Sequence, residues 1–160
     1  MMNPRAVIVV FASIVAASVS TNSTETSLAI VGKLPLIVAD ASTPFKLKVS
    51  NGSSSEIQLW EAGFWPNHQW FVYDATMRPI RPSAAGISRS LAFSSMNRDK
   101  NALVVIKNGN SHLYQSPPIL GDFDLPNGKY YLKIRYSDRS FGRRLELSTR
   151  LIPFVVKRRA

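Results

Sequence analysis

Apolar and polar side chains alternate along Leu125-Pro126-Asn127-Gly128-Lys129-Tyr130-Tyr131-Leu132-Lys133-Ile134-Arg135-Tyr136. Tyr130, Leu132, Ile134 and Tyr136 fall on one side, and Lys129, Tyr131, Lys133 and Arg135 on the other, the two-residue period of a strand entered from a tight turn. The first side predicts core; the second predicts a basic surface carrying one aromatic. Pro44 to Ser50 repeats the pattern, with Phe45, Leu47 and Val49 inward and Lys46, Lys48 and Ser50 outward, before a turn at Asn51-Gly52-Ser53-Ser54. In Glu56 to Trp60 the same period sets Ile57 and Leu59 against Gln58 and Trp60. Further strands are expected over His68 to Tyr73, Ile87 to Phe93, Ala102 to Lys107 and Leu151 to Lys157. Leu28 to Val31 and Leu34 to Val38 read as one edge strand broken at Gly32 and Pro35.

Turn residues recur every eight to twelve positions, and no stretch after residue 27 keeps a helical apolar period free of Pro or Gly. Pro79, Pro82 and Gly86 in particular argue against long regular structure between residues 79 and 86. The expected architecture is all-β: an immunoglobulin-like antiparallel β-sandwich of seven to nine strands, forming one domain over residues 28–157.

The N-terminus changes the picture of where such a domain works. Arg5, the uncharged run Ala6 to Val19 and the small residues around Ser20 have the layout of a secretory signal over residues 1–20, with cleavage near Ser20 or Ala17. The apolar run is shorter than the roughly 20 residues that span a bilayer. A polar leader, 21–27, would follow, and a basic tail, 158–160, would end the chain. The protein is therefore expected to be exported, secreted or periplasmic. An exported chain of this size without cysteine must be held by packing alone, and its composition favours a bacterial source.

Of the formal net charge of +10, residues 129–160 supply +8. So lopsided a distribution suits either a solubilising surface or one that attracts an anionic envelope polymer, a membrane surface or an acidic protein.

The pattern Leu125-x-x-Gly128-x-Tyr130-x-Leu132 resembles the corner before the penultimate strand of immunoglobulin-like domains. That likeness implies a turn glycine in a conformation other residues resist, and a tyrosine hydroxyl tied back to nearby backbone. Pro126 and Leu132 stand where antibody-type domains carry Asp and Cys. A second stretch, Phe45-x-Leu47-x-Val49-x-Asn51 through Gln69-Trp70-Phe71-Val72-Tyr73-Asp74, is similar to exported bacterial immunoglobulin-like domains, among them the BsuPI-type proteinase inhibitors. It implies a sandwich fold and, as one alternative, a secreted peptidase inhibitor that inserts a loop such as Gly63 to Asn67. The Asn-Pro-Thr-Thr-Gly and Arg-Pro-Trp loop motifs of chagasin-like inhibitors are not present in the sequence.

Catalytic chemistry finds little to work with. His68 and His112 have no metal-ligand partner at suitable spacing, no Gly-x-Ser-x-Gly turn presents a nucleophile, and no glycine-rich phosphate loop occurs. Asp122 and Asp124 beside Gly121 fit turn-capping better than a calcium site of six to eight oxygens, and Asp138 beside Arg139 reads as a surface charge. Trp60 and Trp70 are expected in the core. Phe64 and Trp65, in a loop bounded by Gly63 and Pro66, either lid the core or form an exposed contact pair. The expectation is a non-catalytic binding domain, with no cofactor and no nucleic-acid partner. It would recognise a protein or an anionic envelope polymer through Phe64, Trp65, Lys129, Tyr131, Lys133, Arg135, Arg143 and Arg144. Lys46 and Lys48 are expected on the opposite sheet, apart from this group.

Overall fold

In the structure, a computed structural model, residues 25–34, 36–40, 42–60, 67–94, 103–138 and 145–158 are described. The segments expected as signal (1–20) and most of the leader lie outside them. Among the described residues there are eleven strands, more than the seven to nine expected, and they form a mostly antiparallel all-β sandwich.

The larger sheet is organised by β9 (Gly128–Asp138). Its inward positions Tyr130, Leu132, Ile134 and Tyr136 are all buried, as the alternation predicts. On one side β9 pairs with β5 (His68–Asp74), from His68 opposite Tyr136 to Asp74 opposite Tyr130. On the other it pairs first with β10 (Leu145–Ser148) and then with β11 (Ile152–Val156). The edge bends between these two strands at buried Thr149, whose hydroxyl accepts the Ile134 N–H at 3.0 Å while its own N–H donates to the Ile134 carbonyl at 2.9 Å. A side chain thus takes the place of a missing ladder carbonyl. β2 (Leu36–Val38) adds to β11 in parallel, and β6 (Pro79–Ile80) closes the other edge beside β5.

The facing sheet has the order β1 (Ser27–Val31), β3 (Pro44–Ser50), β8 (Ser111–Pro118). β1 and β2, expected as one interrupted strand, belong to different sheets, the chain crossing between them after Val31. β8 follows the Asn108-Gly109 turn and escaped the hydrophobic pattern, because Tyr114 is its only large inward side chain. β4 (Ile57–Trp60) pairs with β7 (Leu103–Ile106), continuing the ribbon that β3 and β8 begin. Both Leu59 and Trp60 are buried in β4, so its two faces are less distinct than the alternation suggests.

Asn51 joins the two halves of this ribbon. Its amide donates to the carbonyls of Ser55 and Ile106, each at 2.8 Å, and its Oδ1 accepts from the Ser53 N–H at 3.0 Å. Between the sheets, Phe45 meets Trp70 and Phe154 edge-on at 5.9 and 6.1 Å, within a single core that includes both inner faces.

Ile87 to Phe93, expected as a strand, instead lies in a helix, α1 (Ala84–Ser94). Ser83 caps it by accepting the Gly86 N–H on its hydroxyl at 3.2 Å. With one of the first-turn N–H groups so capped, the helix-favouring Ala84 and Ala85 outweigh the isolated Gly86.

At the corner before β9, the Tyr130 hydroxyl donates to the Pro126 carbonyl at 2.9 Å, as the resemblance implies. Gly128 differs from that expectation. It is not among the residues of positive φ, and an added Cβ would sit 3.4 Å from the Tyr130 ring, an ordinary contact, so neither conformation nor space requires glycine here. The left-handed residue of this sheet is Met77 (φ 64), which ends the β5–β6 turn. Asp74 organises that turn, accepting from the Thr76 hydroxyl at 2.7 Å and from the N–H groups of Arg78 and Thr76 at 3.0 and 2.8 Å, bonds, the hydroxyl's first, that hold its carboxyl below its ordinary value.

Two substitutions test this account. Met77→Gly, relieving a left-handed side-chain residue, is expected to raise unfolding free energy by about 0.5–1 kcal/mol. Tyr130→Phe, orphaning the Pro126 carbonyl, is expected to lower it by about 1 kcal/mol. Urea unfolding reads both.

Candidate functional site

Because the inner side of β9 is core, its odd-numbered residues from Lys129 to Ser137 point away from the sandwich. The register with β5 places Gln69 opposite Arg135, Phe71 opposite Lys133 and Tyr73 opposite Tyr131. Tyr131 and Lys129 are flanked on the other side by Pro153 and Val155 of β11. Lys129, Tyr131, Lys133 and Arg135 are therefore brought together on one open face, as neighbours of two further aromatics that the sequence reading did not assign there. Phe71, Tyr73 and Tyr131 are half-buried, enough to be fixed while still presenting ring surface.

Arg135 shows how the face is organised. Its guanidinium donates to Gln69 Oε1, and its Cζ lies 5.6 Å from the centroid of the Phe71 ring. A planar cation laid on an aromatic and held by one hydrogen bond keeps further N–H donors for a carboxylate, phosphate or sulfate. Glu146, opposite Ser137, is the acidic side chain that β10 places at the far end of this face.

Lys46 and Lys48 lie on β3 of the facing sheet, opposite Gln115 and Leu113 of β8, so they form a separate basic group. Phe64, Trp65, Arg143 and Arg144 lie outside the described residues, as does all of the Gly63 to Asn67 loop but Asn67.

Three of the polar groups considered for chemistry, Asp138, His68 and Asp122, lie in the interior. Asp138, expected at the surface, is buried, and its Oδ2 lies 3.3 Å from the Tyr136 hydroxyl. It takes the next inward position of β9, so strand parity outweighs the neighbouring Arg139. His68 Nε2 is 2.8 Å from the Tyr114 hydroxyl, bridging β5 to β8 inside the sandwich. Among the described residues no group of three His, Asp or Glu is placed to hold a metal ion, and no helix is long and apolar enough to cross a membrane.

Asp122 is buried as well; its N–H closes the 3-10 turn Ile119–Gly121 on the Ile119 carbonyl at 3.0 Å, the capping role expected of it, and its side chain in addition fastens α1 to the sandwich. Its carboxylate meets Arg89 of α1, Nε to Oδ1 2.8 Å, and its carbonyl accepts the Ser83 N–H at 2.8 Å. A Cβ on Gly86 would lie 2.4 Å from that carbonyl oxygen, so only glycine allows the helix so close. Asp124 remains exposed.

Beside this junction a groove of about 320 Å³ runs between α1 and β5. Ile87, Ser90 and Leu91 form the helical wall, Gln69, Trp70 and Phe71 the strand wall, and Asp122 and Phe123 contribute at the 3-10 turn. Ile87 and Leu91 are 50% and 67% exposed, an unusual position for two aliphatic side chains four apart on one helix.

Compared with known proteins, the chain matches no protein-family model, and no curated protein matches it.

Burial raises the Asp122 carboxyl above its ordinary value of 3.8, with Arg89 opposing the shift. The folded state then holds this proton more tightly than the unfolded chain. Its contribution to stability is fullest below the ordinary value and declines as pH rises through the raised one. Asp122→Asn cannot titrate, so the stability of wild type relative to this variant is expected to fall from about pH 3 to about pH 7. Chemical unfolding across that range measures the difference, and a rising difference contradicts the assignment.

Proposed function

We propose that this protein is an exported, non-catalytic binding domain that holds an anionic envelope polymer on the outer face of its larger sheet. The observation that carries this reading is the interleaving of Lys129, Lys133 and Arg135 with Phe71, Tyr73 and Tyr131 across β9 and β5.

Cations alone would give a diffuse, salt-screened attraction. Aromatic rings fixed between them add flat surfaces against which sugar rings of a polymer stack while its acid groups meet the lysines and Arg135. An open sheet face suits a repeating chain better than a single small ion, since it offers several equivalent contacts in a row and no enclosure. The signal-like N-terminus and the lopsided charge support a place of action in the cell envelope or outside it.

Retention on immobilised polygalacturonate, an anionic polysaccharide, tests the reading. The triple variant Lys129→Gln, Lys133→Gln, Arg135→Gln is expected to bind roughly tenfold more weakly at low salt, from three surface ion pairs worth about 0.5 kcal/mol each. The pair Lys46→Gln, Lys48→Gln is expected to bind nearly as well as wild type. No retention even at low ionic strength, or equal losses in both variants, contradicts the proposal, and tighter binding to single-stranded nucleic acid than to polygalacturonate redirects it.

A further inference from the structure

The groove between α1 and β5 shares residues with the basic face. Two of its lining residues, Gln69 and Phe71, are those whose side chains the Arg135 guanidinium touches. A planar cation therefore stands at the border where the apolar groove opens onto the sheet. Lys133, opposite Phe71, lies one position further along the same face.

The groove's interior is of a different character. Trp70, Phe71, Pro82, Ile87, Leu91 and Phe123 give it an apolar lining, the pattern of small-molecule sites in which a few polar groups fix orientation. Its volume, about 320 Å³, is about ten times the ~30 Å³ share of one water in the liquid. It has room for a chain of about ten carbon-sized groups on that scale. Asp122 is the acidic residue of the lining, and its carboxylate is paired with Arg89. With Asp122 already paired to Arg89, no Lys or Arg among the lining residues awaits an acid group inside the groove, whereas one left at the Gln69 and Phe71 border meets Arg135.

We propose that the groove takes the apolar chain of a monomeric amphipathic carboxylate, a medium-chain fatty acid, with its carboxylate held by Arg135 on the outer sheet face. The inference rests on reading that face as anion-binding, and it adds an apolar requirement to it. Burying Ile87 and Leu91 beneath an acyl chain accounts for their exposure in the free protein, and the guanidinium fork, already braced by Gln69 and Phe71, fits a carboxylate.

Three probes with one chain and different heads test it by calorimetric titration: decanoate, decanol and decylammonium. Decanoate is expected to bind most tightly and decylammonium least. Leu91→Glu, at an exposed position that folding does not require apolar, is expected to weaken decanoate and decanol at least tenfold while leaving retention on polygalacturonate unchanged. Arg135→Gln is expected to weaken decanoate about tenfold, the order of one exposed charge-assisted hydrogen bond, and to leave decanol unchanged. Failure of decanoate to bind, indifference of its binding to Leu91→Glu, or equal binding of decylammonium overturns the proposal. Binding to anionic phospholipid vesicles without binding of monomeric decanoate also overturns it, in favour of a membrane surface. If polygalacturonate retention survives while decanoate fails, the groove assignment falls and the sheet-face reading stands. If decanoate binds and the polymer is never retained, the sheet-face reading falls instead.

Discussion

The two-residue period of β9 couples the core of this protein to its candidate site. Tyr130, Leu132, Ile134 and Tyr136 supply a continuous buried stripe, and the strand carrying them is hydrogen-bonded to β5 on one side and to β10 and β11 on the other. A slip of one residue would turn Lys129, Lys133 and Arg135 into the core, so the register is pinned by the cost of burying charge. The same constraint holds the cations and Tyr131 outward. Without cysteines, no covalent link shares this task.

Where strands bend, polar side chains complete the hydrogen bonding that the backbone ladder cannot. Asn51 bridges the kink between β3 and β4, and Thr149 spans the break between β10 and β11. Ser116 accepts the Phe45 N–H at 2.9 Å where the β3–β8 register shifts. Each satisfies a buried group that would otherwise cost about 1–3 kcal/mol. The helix is fastened by comparable means, through Ser83, Gly86 and the Arg89–Asp122 pair, and its attachment is what forms a groove next to the open face. A scaffold secured in this way leaves its large sheet surface free of structural duties.

The strands with strict alternation, β3 and β9, could be read directly, together with the Tyr130 corner. Elements whose signal is weak or shared with another structure could not. β8 has one large inward residue, and α1 presents Ile87 and Leu91 to solvent, so neither shows a clear apolar stripe; the Ser83 cap before Ala84 and Ala85 was the available sign of the helix. Asp138 continued the inward parity of β9, a signal masked by the charge beside it. Phe71 and Tyr73 escaped the site because Trp70, Phe71 and Val72 are consecutively apolar. Only their pairing with β9, a non-local fact, shows which of them face outward, although the polarity of Gln69 hinted at it. The groove likewise joins segments far apart in the chain and had no local signature.

The central claim, that one face of the larger sheet is the binding surface, is tested most directly by mapping backbone amide chemical shifts during titration with oligogalacturonate. The account predicts salt-sensitive shifts concentrated at Phe71, Tyr73 and residues 129 to 135, with Lys46 and Lys48 unmoved. Shifts centred on β3, or spread evenly over both sheets, would contradict it.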